Sequence, residues 1–340
     1  MIFVTGGTGL VGSHLLFELT KGGEKVRALK RPTSNLSQVV KTFSYYTNDA
    51  QKLFDSIEWV DGDILDYFAL EELLRGVDVI YHCAAIVSFD GRDRSRMIGN
   101  NVEGTSNLIN AALENQVKRI CHVSSIAALG KRENGEMVNE ETNWIPAKKH
   151  SAYSESKFFS EAEIWRGVEE GIDAVIVNPS IILGPGNWEN SSAKFFKTVW
   201  DGMKYYTRGV TGYVDVRDVV SVMLQLMNEA HFERCKNQRY LLNAENLTYE
   251  EVFNQIADAI GKPRPSVFAS DFMTAIAWRL AKVGSWFTRK QPVLTKEVAT
   301  GRNDINNYDG SKIITAINFQ YTPVSASIKN TAKLFLADVK

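Results

Sequence analysis

The 340-residue sequence predicts an α/β fold, a doubly wound parallel sheet with a smaller, mostly helical C-terminal lobe. Two observations predict it. The chain opens on an apolar run, a glycine-dense turn and an amphipathic segment, which reads as strand, turn and helix. Apolar runs then alternate with helix-like segments through the first half of the chain, the rhythm of successive βαβ units.

Ile2-Phe3-Val4 is the first strand, and the first helix runs from Leu10 to about Thr20. Gly22-Gly23 ends it, Lys25 to Leu29 is the second strand, and Lys30 to Asn35 is a polar loop. Residues 36–55 are weakly patterned. Ile57 to Val60 is a short strand, Phe68 to Leu74 a helix stopped by Gly76, and Val77 to Ala85 a buried strand running into small residues. Asn101 to Thr105 leads a helix through Leu113. Arg119 to Val123 is a strand ending at Ser124-Ser125, Ser151 to Val168 a long helix, and Asp173 to Val177 a strand ending at Asn178-Pro179. The rhythm loosens after Gly184-Pro185-Gly186. Tyr213 to Val220 leads into a helix, Arg239 to Leu242 is one more strand, and the remainder reads as mostly helical. The expected division is a domain over 1–178, joined again by 212–243, and a lobe over 179–340 that shapes a substrate cleft.

The turn Thr5-Gly6-Gly7-Thr8-Gly9-Leu10-Val11-Gly12 fits two spacings, with either Gly6 or Gly7 as the first glycine before Gly9 and Gly12. The physical need is the same for both. A sharp turn takes positive φ, the backbone must approach a pyrophosphate closely, and the helix start offers it free N–H groups. A strand before and a helix after supply the context of a dinucleotide site, so the sheet is of Rossmann type.

Composition narrows the classes. With 39 basic and 40 acidic residues the net charge is −1, which gives no field for nucleic acid or an anionic membrane surface. Cys83, Cys121 and Cys235 lack metal-ligand spacing, the five histidines form no H-E-x-x-H, and no metal site is expected. No run has the length of a membrane span, and the first apolar run is already a strand rather than a signal peptide. The expected address is the cytoplasm.

Tyr153 and Lys157 stand four apart on a predicted helix and share one face. An ammonium beside a phenol favours the phenolate and is expected to lower the tyrosine pKa, preparing it for proton transfer. A surface tyrosine and a solvated lysine show the same spacing. Ser125 strengthens the functional reading, because it lies at a strand end where ligands bind in this architecture.

These residues together resemble the extended short-chain dehydrogenase/reductases, the nicotinamide-dependent epimerases, dehydratases and reductases. The resemblance spans nearly the whole chain. It rests on the glycine turn, Gly62-Asp63-Ile64-Leu65-Asp66, His82-Cys83-Ala84-Ala85, Asn101 to Asn107, Val123-Ser124-Ser125, Tyr153 with Lys157, and Asn178-Pro179-Ser180 with Gly184-Pro185-Gly186. It implies Tyr153 as general acid, Lys157 on the nicotinamide ribose, and Ser125 on the substrate oxygen. It implies a cofactor surface of Gly6, Gly9, Leu10, Val11, Gly12, Asp63, Ile64, Ala84, Ala85, Pro179 and Ser180. Asn101 would brace the central helix, or simply cap it. A homodimer through the helices near 104–115 and 152–168 is also implied.

The end of the second strand bears on the cofactor. NAD sites place an acid there, whereas this chain has Lys30-Arg31. A guanidinium binds a 2′-phosphate bidentately, so NADP is expected with Arg31 as the main contact, NAD remaining the alternative and a solvated basic loop the plain reading. Ser125 is followed by Ile126-Ala127-Ala128, without the short acidic motif that sugar-nucleotide dehydratases of the family it resembles carry there. Val26 to Pro32 and Asn178-Pro179-Ser180 look most like the dihydroflavonol 4-reductase-like subgroup, which implies reduction of a small-molecule ketone or aldehyde. A sugar-nucleotide epimerase or dehydratase, or a non-catalytic dinucleotide sensor, remains open on the same fold. Phe89, Arg92, Arg94 and Arg96 read as a lid or a solvated loop. The apolar stretch from Phe272 to Phe287 reads as a core helix, a cap over an apolar substrate, or a membrane-surface helix.

Overall fold

Ile2–Thr5 forms β1, whose side chains enter the core on both faces, as a central parallel strand requires. In the computed structural model of the chain, residues 1–88, 90–132, 136–145, 150–270 and 304–339 are described. The apolar stretch Phe272 to Phe287 and Phe89 lie outside them.

From β1 the chain continues through α1 (Leu10–Lys21), β2 (Val26–Lys30), α2 (Ser37–Ser44), α3 (Ala50–Asp55), β3 (Glu58–Asp61), α4 (Tyr67–Leu73) and β4 (Val79–His82). It then forms α5 (Arg94–Ile98), a π-helical turn over Gly99–Glu103, α6 (Gly104–Glu114), β5 (Arg119–Val123), α7 (Ala152–Glu169) and β6 (Asp173–Pro179). With β10 (Gln238–Leu242) the strands make one seven-stranded sheet in the order β10-β6-β5-β4-β1-β2-β3, all pairs parallel. The order reverses between β1 and β4, and that switch point opens the crevice where ligands bind in such sheets.

The weakly patterned residues 36–55 hold the short helices α2 and α3. Their apolar residues are few because each helix buries little; Phe43 and Tyr46 pack on Phe17 of α1 at ring distances of 5.5 and 5.1 Å. One core layer places Leu15, Leu16 and Phe17 with residues of α9 (Val216–Met227) on one face of the sheet. The other places Leu70, Leu108, Ile109 and Ile164 on the opposite face.

The second half of the chain contains more strand than its sequence suggests. β7 (Ile181–Leu183) pairs in parallel with β9 (Val210–Asp215), and β11 (Glu245–Thr248) pairs antiparallel with β9. β11 has no apolar alternation to reveal it, because all four residues are only half buried. α8 (Lys194–Trp200), α11 (Tyr249–Ile260) and α13 (Val324–Val339) cover this sheet through Phe196, Val252, Ile256 and Phe335. A two-stranded piece, β8 (Tyr205–Tyr206) with β12 (Val267–Phe268), lies beside α11, and α10 (Glu229–Cys235) precedes β10. α12 (Ser311–Ile317) returns to the large sheet, where Ile313 and Ile317 join the core with α9. Among the described residues no helix is long and apolar enough to cross a membrane, and no group of side chains is arranged to hold a metal ion.

Three histidines are buried in this frame. The carbonyl of Leu10 accepts from Nδ1 of His14, so Nε2 accepts from the Tyr46 hydroxyl. His82 and His122 lie on adjacent strands with ring centroids 4.9 Å apart. Burial brings His14 down to about 4 and His82 to about 3, and holds His122 well below the ordinary range. Unfolded histidines bind protons near 6.5 while these do not, so stability is complete above that pH and lost as pH falls towards the folded values. Each histidine is expected to remove about 1.4 kcal/mol per pH unit of acidification. Urea unfolding between about pH 7 and pH 5 measures the slope; a flat response would contradict three neutral buried rings.

Candidate active site

The glycine turn and the end of β4 meet with almost no side chains between them. Gly6 has φ +70°, and a Cβ there would lie 2.5 Å from the Ala84 nitrogen. A Cβ on Gly12 would overlap the Gly6 carbonyl, whereas one on Gly7 would meet only the movable Leu16 side chain. Of the two spacings, the structure demands glycine at Gly6 and Gly12. Gly9 caps α1 without a side-chain bond, and its N–H donates to Gly6 O at 2.9 Å. The first turn of α1, Leu10, Val11 and Gly12, carries no acidic residue, and its N–H groups have no partner within the helix. Free N–H groups without an acidic neighbour are the chemistry that an anion such as a pyrophosphate needs.

Arg31 stands just past β2, beside this turn. Its neighbour Lys30 is taken by Asp61 at the end of β3. Arg31 is exposed, makes no ion pair among the described residues, and forms a tight turn in which its N–H donates to Ser34 Oγ at 3.1 Å. Asp63 Oδ1 accepts from the Leu65 N–H at 3.0 Å. Ile64 is 7% exposed and packs in the core against Gly104, so its side chain serves the fold. Ala84 and Ala85 are half buried where β4 ends, and Ala84 N–H donates to Thr5 Oγ1.

Asn101 does not cap a helix. It sits inside the π-helical turn, with helix on both sides, and is 2% exposed. Its Oδ1 accepts from Ile86 N at 2.7 Å, and its Nδ2 donates to Ile86 O at 2.9 Å and to Ser156 Oγ at 3.1 Å. All its polar atoms are engaged, so it ties the loop after β4 to α7. Below it, Thr105 Oγ1 donates to Asn101 O and accepts from His82 Nε2 and Ser160. His82 Nδ1 then accepts from Thr5 Oγ1 at 2.7 Å. A fully satisfied chain thus links the glycine turn to the middle of α7.

Ser125, two residues past β5, caps a single helical turn over Ile126–Ala128, its Oγ accepting from Ala127 N at 3.1 Å. Ser151 caps α7 through Ser154 N, and Ser154 Oγ donates to Ala127 O at 2.6 Å, which seats the first turn of α7 on that loop. The Tyr153 hydroxyl shares a hydrogen bond with the Ser125 side chain. One turn on, buried Lys157 donates to Val123 O at 2.8 Å, and burial brings its ammonium down to about 8. The lowered tyrosine pKa expected from the Tyr153–Lys157 spacing is corrected here. Burial raises the phenol above its ordinary value, and the bond with Ser125 opposes the rise without reversing it.

Pro179 and Ser180 are buried at the end of β6, and the Ser180 side chain lies against Gly212 of β9, turned towards the second lobe. Of the lid arginines, Arg92 pairs with Asp90 and Arg94 with Glu155 on α7, so both are occupied, and Arg96 is exposed. Thr5, His82 and Asn178 stand within the quoted motifs without a role of their own, and their contacts appear only once strands are paired. Glu161 is absent from the sequence reading, although it stands on the Tyr153–Lys157 face one further turn along.

The profile of the NAD dependent epimerase/dehydratase family matches residues 2–238. A protein of Synechocystis sp. that bears a dihydroflavonol 4-reductase name is 28% identical over 98% of this chain and 94% of its own. Sterol demethylase protein B of Methylococcus capsulatus is 31% identical over 77% of this chain and 75% of its own length. Cinnamoyl-CoA reductase 1 of Petunia hybrida is 29% identical over 64% of this chain and 66% of its own. Among solved structures, gox2253 superposes with a TM-score of 0.78 at 28% identity, covering 99% of this chain and 98% of its own. UDP-glucose 4-epimerase of Thermotoga maritima shares the fold at TM-score 0.78 and 18% identity, covering 100% and 99%. With the parallel sheet, glycine cradle and serine, tyrosine and lysine at one strand end, these likenesses show that the chain belongs to the NAD dependent epimerase/dehydratase family, as an NAD(P)-dependent enzyme of the extended short-chain dehydrogenase/reductase type.

Proposed function

We propose that this protein is an NADP(H)-dependent carbonyl reductase acting on a ketone or aldehyde. The observation that carries the reading is the hydrogen bond between Ser125 and Tyr153, with Lys157 one turn along α7 and the glycine cradle across the crevice. When bound, the reduced nicotinamide supplies a hydride. Ser125 and Tyr153 hold the substrate oxygen between two hydroxyls and stabilise the charge that grows on it. Burial keeps the Tyr153 phenol protonated at neutral pH, so it has a proton to donate as the alcohol forms. Lys157 holds the nicotinamide ribose, and Gly6, Gly9, Leu10, Val11, Gly12, Asp63, Ala84 and Ala85 form the rest of the cofactor surface. The reductase names among the relatives support reduction over epimerisation.

Arg31 selects NADP over NAD in this reading, because it is the cation beside the turn that Asp61 does not occupy. The protein is cytoplasmic and a homodimer through α6 and α7; the exposed Phe159 of α7, with the stacked pair Trp144 and Phe158 beside it, supports that face.

Against a panel of aldehydes and ketones, Tyr153→Phe is expected to lose about a hundredfold or more of NADPH oxidation; turnover equal to the parent would overturn the mechanism. Arg31→Ala is expected to weaken NADPH binding about tenfold to a hundredfold and to leave NADH nearly unchanged; equal losses for both would remove the 2′-phosphate assignment. Light scattering is expected to return twice the chain mass, and a monomer would refute the dimer.

A further inference from the structure

Glu161 has no part in the reading above, yet it is the most heavily engaged carboxylate at the site. It is 3% exposed, on the same face of α7 as Tyr153 and Lys157. Its Oε2 accepts from Ser124 Oγ at 2.7 Å and from Asn178 Nδ2 at 2.8 Å. Its Oε1 accepts from Arg239 Nη1 at 3.1 Å and Trp165 Nε1 at 3.3 Å. Asn178 Nδ2 also donates to Ser125 O at 3.1 Å, so the carboxylate reaches both serines at the end of β5. A charge this deeply buried is tolerated only with partners on every side, and removing one is costly. A glutamine or leucine would fill the volume without that demand.

We propose that Glu161 is a positioning residue of this site: its charge holds Lys157 as an ammonium, and its hydrogen bonds fix the Ser124-Ser125 strand end, while Arg239 balances it from behind. The inference rests on the reading that Lys157 serves the cofactor. The groups that face Lys157 are Tyr153 and Glu161 on its own helix, Cys83 after β4, His82 on β4 and His122 on β5. Burial lowers Lys157, and Glu161 is the foremost group that opposes it. Behind Glu161 stands Arg239 of β10, with Glu140 and Lys312 beyond it.

Glu161 therefore opposes the effect of burial on Lys157, and Arg239 in turn balances Glu161. Glu161→Gln keeps the shape and removes the negative charge, so Lys157 loses its proton at lower pH. Arg239→Gln leaves the carboxylate facing Lys157 without its balance, so Lys157 keeps its proton to higher pH. NADPH affinity, read by quenching of tryptophan fluorescence from about pH 6 to pH 10, reports this without turnover. The alkaline fall in affinity is expected to move down by about one unit in Glu161→Gln and up in Arg239→Gln. A purely structural role would move neither, or weaken binding alike at all pH. Lys157→Gln is the control and is expected to erase the fall. If it does not, the reading of Lys157 itself fails. If it does, and neither substitution displaces the fall, the role of Glu161 is overturned. Should Glu161→Gln not fold, an upward move in Arg239→Gln sustains the inference and an unchanged profile ends it.

Discussion

The contact between two backbones at the switch point constrains the rest of this molecule. Gly6 turns with positive φ against Ala84, and Gly12 lies against the Gly6 carbonyl. Neither contact tolerates a side chain, so β1 and β4 bring their ends together and α1 starts tight beneath them. The crevice left open is lined by main chain and small residues. A crevice of that kind accepts an extended anionic ligand, because N–H groups and the end of a helix supply the positive potential.

A second constraint lies between the sheet and α7. Polar groups are costly to bury unless all are paired. Here Thr5, His82, Thr105, Ser160, Asn101 and Ser156 form a nearly complete set, with donors and acceptors consistent in direction. The set spans from the glycine turn to the helix that carries Tyr153 and Lys157. His122 departs from it: both its ring nitrogens are buried without a hydrogen-bond partner among the described residues. Its ring lies tilted by 36° against that of His82, with centroids 4.9 Å apart.

Much of the site was legible because it is local. The glycine turn is contiguous, Tyr153 and Lys157 are related by the helical repeat, and Ser125 follows directly on a strand. Side-chain direction was less legible. Ile64 and Ser180 occupy positions beside the crevice, yet their side chains turn into the core and the second lobe. The raised phenol of Tyr153 was hidden as well: spacing places an ammonium one turn away, but burial decides the sign. In the second lobe, β11 escaped notice because its half-buried residues leave no alternation to read.

By itself the sequence determined the alternation of strands and helices, the glycine cradle and the residues at the ends of β5 and α7. Each of these rests on a repeat of a few residues, which local backbone geometry obeys wherever the segment lies. Only the tertiary structure decided how charges were shared. Lys30 is neutralised by Asp61 and Arg31 is not, although they are adjacent in the chain. Glu161 of α7 meets Arg239 of β10, 78 residues away. No period connects such positions. They are joined by the order of strands in the sheet, and that order follows from which faces can be buried together.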